Sequence, residues 1–438
     1  MVAGLLPLQD LKLFIMKPKH ILNISLFILL FSAASFAQEL TKVAPERVGI
    51  STERLQFLTN TLQKYVVDGE LSGGVALIAR HGKIAYLHSF GKSDIEGNVA
   101  MSDNSIFRIA SQTKAIVSVG IMMLQEEGKL LISDPVGKYI PEYKETTVAV
   151  PSGDSTYKIV KANRKITLRD LLTHTSGIGY GYGIASDLWK KAGIQGWYFA
   201  NRDEPILETV KRMAGLPFES QPGEKFVYGY SVDILGAIIE IVSGEPLDVF
   251  LKSHILGPLG MNDTYFYLPI SMSNRLSVVY SSTENGLQRA PDPGEMVGQG
   301  AYVKGPRKSF SGGAGLLSTA EDYAKFLQMM LNKGSFNGKR ILSPNTVELM
   351  TVNHLVKATF PWAKGTGFGL GFSIVEDLGA RGTPGSVGEY GWGGAYHSVY
   401  WVDPKEDLLV VYFTQLIPAN GVDDHAKLRA LVYQALVD

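Results

Sequence analysis

The 438-residue chain contains no cysteine, which removes disulfides, thiolate metal sites and cysteine nucleophiles together. Its 42 lysines and arginines balance 42 aspartates and glutamates, so no basic face is implied that would hold nucleic acid. An apolar content of 45% is that of an ordinary globular protein, and the length accommodates two or three domains at about 150 residues each.

The N-terminal segment reads as an export signal. Lys17, Lys19 and His20 precede an apolar stretch from Ile21 to Phe36, which closes with small residues at Ser35 and Ala37. This predicts a signal peptide over 1–37, cleavage after Ala37 and a periplasmic or secreted mature protein, with Met16 fitting as the start. The run carries Asn23 and Ser25 and is short of the roughly 20 residues of a membrane span, so no stable span is expected.

Leu55, Leu58, Leu62, Tyr65 and Val66 recur at helical spacing and predict an amphipathic helix over 52–67. Gly74–Arg80 and Lys83–Phe90 are β-rich runs around His81-Gly82, a hairpin signal. A long apolar helix is predicted to start at Ser111 and stop at Gly128. Glycine-bearing loops follow at 177–183 and 291–300. Ser231 reads as the N-cap of a helix over 232–242 closed by Gly244. Ser318-Thr-Ala-Glu321 reads as a capping box for a helix through Leu331. Strands return at 399–402 and 408–413 around a hairpin, before a helical C-terminus. Strands at both ends with helices between predict an α/β (α+β) fold: one antiparallel sheet from 38–110 and 305–438, with a mostly helical domain over 111–304.

Chemistry enters at Arg108-Ile-Ala-Ser111-Gln-Thr-Lys114. Spacing of three puts a hydroxyl and an amine on one helical face, and a desolvated lysine can take a serine proton near neutral pH. Ser89/Lys92 and Ser155/Lys158 match the same spacing, but only Ser111 heads an apolar helix, where its N–H can face a developing oxyanion. In Pro222-Gly-Glu-Lys-Phe-Val-Tyr228-Gly-Tyr230 a turn delivers a tyrosine just before a helix. A phenol serves as a base only when a nearby cation lowers its pKa from about 10. Finally, Glu389-Tyr-Gly-Trp392-Gly393-Gly394-Ala395 leads two glycines into an edge strand, where backbone can approach a ligand and the next N–H can donate to an oxyanion.

Order and spacing of these segments resemble the serine β-lactamase and penicillin-binding-protein superfamily, in the class C-like branch that includes family VIII carboxylesterases. Supporting signatures are Leu171-Leu-Thr-His-Thr-Ser-Gly177, Gly257-Pro-Leu-Gly-Met261 and Gly312-Gly-Ala-Gly315. The resemblance implies a β-lactamase/transpeptidase-like fold, with Ser111 as acylated nucleophile, Lys114 and Tyr228 shuttling its proton, and the N–H groups of Ser111 and Ala395 as oxyanion hole. Trp392, Gly393, Gly394 and Tyr230 would touch substrate. No metal or other cofactor is called for, and the partner is a small ester or amide. His174 falls in a segment that is structural in the family.

Two departures set direction. Tyrosine-x-asparagine becomes Tyr228-Gly-Tyr230, removing an amide that touches a lactam side chain. Lysine-threonine-glycine becomes Trp392-Gly393-Gly394, removing a cation that would pair with the carboxylate of a penicillin or peptide. Both resemble the esterase branch. The expectation is an exported carboxylesterase; the alternatives are a β-lactamase or D-Ala-D-Ala carboxypeptidase, and a non-catalytic member that binds peptidoglycan or a partner. Tyr180, Tyr182, Trp189, Trp197, Tyr198 and Phe199 cluster after the His-Thr-Ser-Gly loop, as ordinary core or as part of an apolar cleft wall.

Overall fold

The computed structural model describes residues 40–153 and 156–438; the expected signal peptide and Ser155 lie outside them. A nine-stranded sheet organises the molecule. Its strands are β1 (Thr41–Lys42), β2 (Gly73–Arg80), β3 (Lys83–Asp94), β4 (Val99–Ala100), β5 (Thr366–Phe368), β6 (Ser373–Val375), β7 (Tyr390–Gly394), β8 (Ser398–Asp403) and β9 (Leu408–Phe413). Their order is β1-β3-β2-β9-β8-β7-β6-β5, with β4 beside β3. All pairs are antiparallel except the two-residue β1–β3 pair.

Successive side chains point to opposite faces and both faces are buried, which is why β2 up to Arg80 and all of β9 are apolar. Val75, Leu77, Leu409, Val411 and Phe413 face one core, while Ala76, Ile78, Val410 and Tyr412 face another. The second core is closed by α1 (Thr52–Val67), through Leu55, Leu58, Leu62 and Tyr65, together with a C-terminal helix. The first is covered by α2 (Thr113–Glu126), α3 (Ser231–Ser243) and α4 (Ala320–Leu331). The C-terminal helix is α5 (Asp424–Tyr433). No helix among the described residues is long and apolar enough to cross a membrane.

Three helix starts differ from expectation. Ser111 lies in a 3-10 turn, Ala110–Gln112, and α2 begins at Thr113. Ser231 is the first residue of α3 rather than its cap. Thr319, not Ser318, caps α4, accepting from Asp322 N–H, because Ser318 is still paired as strand with Phe107. Ser89 and Lys92 sit on β3, where an odd separation sends their side chains to opposite faces. That spacing match carries no site.

Candidate active site

Strand pairing aims the nucleophile. Phe107 and Arg108 pair with Ser318 and Leu317, and Ile109 N–H donates to Leu316 O at 3.1 Å. Ala110 then turns sharply, with φ +43°, a left-handed conformation costing a non-glycine residue about 1–2 kcal/mol. That kink presents Ser111 at the mouth of the turn leading into α2. Gly394 closes against the same kink: a Cβ there would stand 2.5 Å from Ile109 O. Ala395, the next residue, lines the cleft with Ser111.

Lys114 is 2% exposed. Its Nζ lies 2.7 Å from Gly313 O, 3.1 Å from the Tyr180 hydroxyl and 3.3 Å from Ser111 Oγ. Behind it, buried Asp233 from the first turn of α3 accepts from Ser311 Oγ at 2.6 Å and Gly313 N–H at 3.0 Å. Burial pushes the Asp233 carboxyl above its ordinary range, opposed by the neighbouring Lys114. Gly313 therefore clamps carboxylate and amine from its two backbone ends. No side chain fits at this position, since a Cβ would meet Asp233 Oδ2 at 2.3 Å.

The expected meeting of hydroxyl, amine and Tyr228 phenol needs correction. The phenol bonded to Lys114 is that of Tyr180. Tyr228 presents its ring to the amine, with Nζ 4.6 Å from the ring centroid, and its hydroxyl accepts from Trp392 Nε1 at 2.9 Å. The two tyrosine rings meet edge-on at 5.8 Å. Burial, then Tyr228 and Asp233, hold the Tyr180 phenol well above 10. It is a neutral hydroxyl at ordinary pH.

Tyr230 does not touch the cleft. It is fully buried as the residue just before α3, donates to Gly196 O at 2.6 Å and stacks on Trp189 at 5.9 Å. Gly393 lines the cleft; Gly394 serves the backbone approach described above. The cleft, about 350 Å³, is lined by Ser111, Tyr180, Trp197, Tyr228, Trp362, Trp392, Gly393 and Ala395. A larger polar groove of about 730 Å³, over Arg164, Asp170 and His354, contains none of these groups. The aromatic cluster after Gly177 divides. Tyr180 and Trp197 wall the cleft, Trp189, Tyr198 and Phe199 are core, and Tyr182 is exposed.

His174 forms no triad. Its fully buried ring packs 4.6 Å from the Tyr228 ring and 5.6 Å from that of Phe368, with neither nitrogen hydrogen-bonded. Burial and the Lys114 charge hold it well below 6.5, hence neutral. The unfolded chain binds a proton below pH 6.5 that the folded chain refuses, so stability falls as pH drops, by up to about 1.4 kcal/mol per unit. His174→Asn, which tolerates the φ of +54° found here, should shrink the stability difference between pH 7 and pH 5 by about 1–2 kcal/mol in urea titrations.

Sequence reasoning missed Asp233, read only as helix, and Trp362, in a segment without periodicity. The acid in the first turn after Tyr228-Gly-Tyr230 was the available signal for the first. Nothing marked the second.

Known proteins are similar to this chain in sequence and fold. An uncharacterized protein of Mycobacterium tuberculosis is 33% identical over 365 residues, covering 81% of this chain and 88% of its own length. Esterase EstB of Burkholderia gladioli is 30% identical over 355 residues, covering 78% of this chain and 86% of its own. Among solved structures, EstCE1, a hydrolase with promiscuous acyltransferase activity, has a TM-score of 0.75 at 26% identity, covering 87% of this chain and 99% of its own. The Beta-lactamase family model matches residues 58–434, within which every cleft group described above falls, and this chain belongs to that family of hydrolases.

Proposed function

We propose that this protein hydrolyses carboxylic esters through an acyl-serine intermediate on Ser111. The Lys114 ammonium donates to Gly313 O, the Tyr180 hydroxyl and Ser111 Oγ. To act as base it first passes one proton to solvent, keeps its bonds to Gly313 O and Tyr180, and turns the freed lone pair to the Ser111 hydroxyl. Ser111 Oγ then adds to the ester carbonyl while Nζ takes its proton. The N–H groups of Ser111 and Ala395 hold the tetrahedral oxyanion. Collapse breaks the carbonyl–alkoxy bond, and the alcohol leaves with the proton from Lys114, relayed through Tyr180. Water adds to the acyl-serine by the same route, giving the acid and restoring Ser111.

One observation favours esters over lactams and peptides: among the described residues no arginine or lysine lines the cleft, and the nearby amine, Lys114, lies beneath it, held by Gly313 O and the Tyr180 hydroxyl. Trp392, Trp362, Trp197 and Tyr228 offer apolar wall instead, suited to an uncharged acyl or alcohol group. A substrate carboxylate would be desolvated there without a partner.

Incubation with p-nitrophenyl butyrate and with a chromogenic cephalosporin, followed by intact-mass spectrometry, tests this reading. Ester turnover with an adduct on Ser111 supports it. Faster cephalosporin turnover assigns the lactamase alternative, and failure of every acyl donor to form an adduct assigns a binding role. The phenols give a finer test. Tyr180→Phe should lower kcat by about 10²–10⁴, the range for a proton-transfer group, and Tyr228→Phe by about tenfold less. The reverse ranking would route the proton through Tyr228, released from Trp392.

A further inference from the structure

A second cluster of chemistry-bearing side chains lies where the β7–β8 turn meets the start of α5. His397 occupies that turn with φ +60°, a left-handed backbone that carries its imidazole toward the helix. Its Nε2 lies 2.6 Å from Oδ1 of Asp424, a fully buried carboxylate. His425, the next residue, stacks its ring on that of His397, with centroids 4.0 Å apart and planes 15° from parallel. A donor atom from each of the three residues falls within 4.8 Å of the other two.

Surroundings favour a ligand set over a simple staple. The far oxygen of Asp424, Oδ2, accepts from the buried Tyr412 hydroxyl at 2.7 Å, and the backbone N–H of His425 donates to Oδ1 at 2.9 Å. A carboxylate oriented from behind by a phenol is the support that first-row metal ligands characteristically receive. The His397 side chain keeps 13% of its surface exposed, so an ion can reach the cluster. Ligand atoms on a tetrahedral zinc stand about 3.3–3.6 Å apart, given bonds of about 2.0–2.2 Å. Imidazole rotations of about 1 Å at the donor atoms reach that spacing. Two nitrogens and one carboxylate suit zinc and its neighbours in the first row. Calcium and magnesium prefer six or more oxygens, mostly beyond this set.

We propose that His397, Asp424 and His425 bind one divalent transition-metal ion per chain, zinc foremost, with solvent at the fourth position. The ion replaces the hydrogen bridging His397 and Asp424 and ties the β7–β8 turn to α5. The site takes no part in the ester chemistry proposed above, so its test is independent of that reading.

The test is calorimetric titration of the chelator-treated, tag-free chain with zinc chloride, with magnesium chloride and calcium chloride as controls. Expected are one equivalent of zinc at micromolar or tighter affinity and no comparable binding of either control. His425→Gln and His397→Asn should each weaken zinc at least tenfold, asparagine being chosen because it tolerates the backbone of residue 397. Tyr412→Phe should weaken it about 10–100-fold, as loss of a supporting hydrogen bond does. Ser111→Ala should bind zinc as the wild type does. Circular dichroism without metal establishes that the variants are folded. Absence of zinc binding by the wild type, or unchanged affinity in folded His425→Gln and His397→Asn, overturns the proposal.

Discussion

Ser111→Ala should give a folded protein whose ester turnover falls by about four orders of magnitude or more, the loss typical when a nucleophile acting in concert with its base is removed. The stability side of the prediction rests on how little else the hydroxyl does. Among the described residues its partners are Lys114, at 3.3 Å, and the Tyr180 hydroxyl, and Lys114 keeps Gly313 O and Tyr180 after the change. Ser111 is partly exposed at the cleft mouth, so no cavity forms in a sealed core. The melting temperature should move by no more than about 2 °C. Calorimetry and a butyrate ester assay on one preparation check both halves. Residual turnover near wild type would remove Ser111 from the chemistry; a large thermal loss would make it a structural cap.

Lys114→Met should abolish turnover as completely, but with a second signature. Methionine fills nearly the same volume, so lost packing is minor. What disappears is a donor to Gly313 O and Tyr180, and the positive partner of buried Asp233. Relief from burying an amine offsets part of this. Because that amine is fully hydrogen-bonded in the native protein, the uncompensated carboxylate and carbonyl outweigh the relief, at a net cost of about 2–4 kcal/mol. Urea denaturation measures it. Adding Asp233→Asn to Lys114→Met should recover part of the loss, giving a coupling that a double-mutant cycle resolves. Additive effects would mean that carboxylate and amine do not sense each other.

These two residues were readable in the sequence because their relation is local: one helical turn sets the Ser111–Lys114 distance. The sheet was also readable, since the β-rich runs over 74–80 and 408–413 and the turn signals beside them are local. Tyr180 was noticed only as one aromatic of several, because what distinguishes it is contact with Lys114, sixty-six positions earlier. Tyr228 was found by its turn, but a turn does not fix where a phenol points, and the Trp392 indole decides that. Tyr230 shows the same gap in reverse, a motif position whose side chain belongs to the core. The start of α2 was placed two residues early because propensity does not foresee alanine in a left-handed conformation at 110.

The pairing of β2 with β9 has a kinetic meaning. Residues 73–80 wait in the nascent chain for partners at 408–413, so the middle of the sheet cannot zip until nearly the whole polypeptide has been made. Loops spanning more than three hundred residues close slowly, and until then an oily strand lies with a bare edge open to aggregation. Synthesis of this protein is therefore a race between strand 408–413 and its neighbours in solution, and any shortening that removes 408–413 forfeits it.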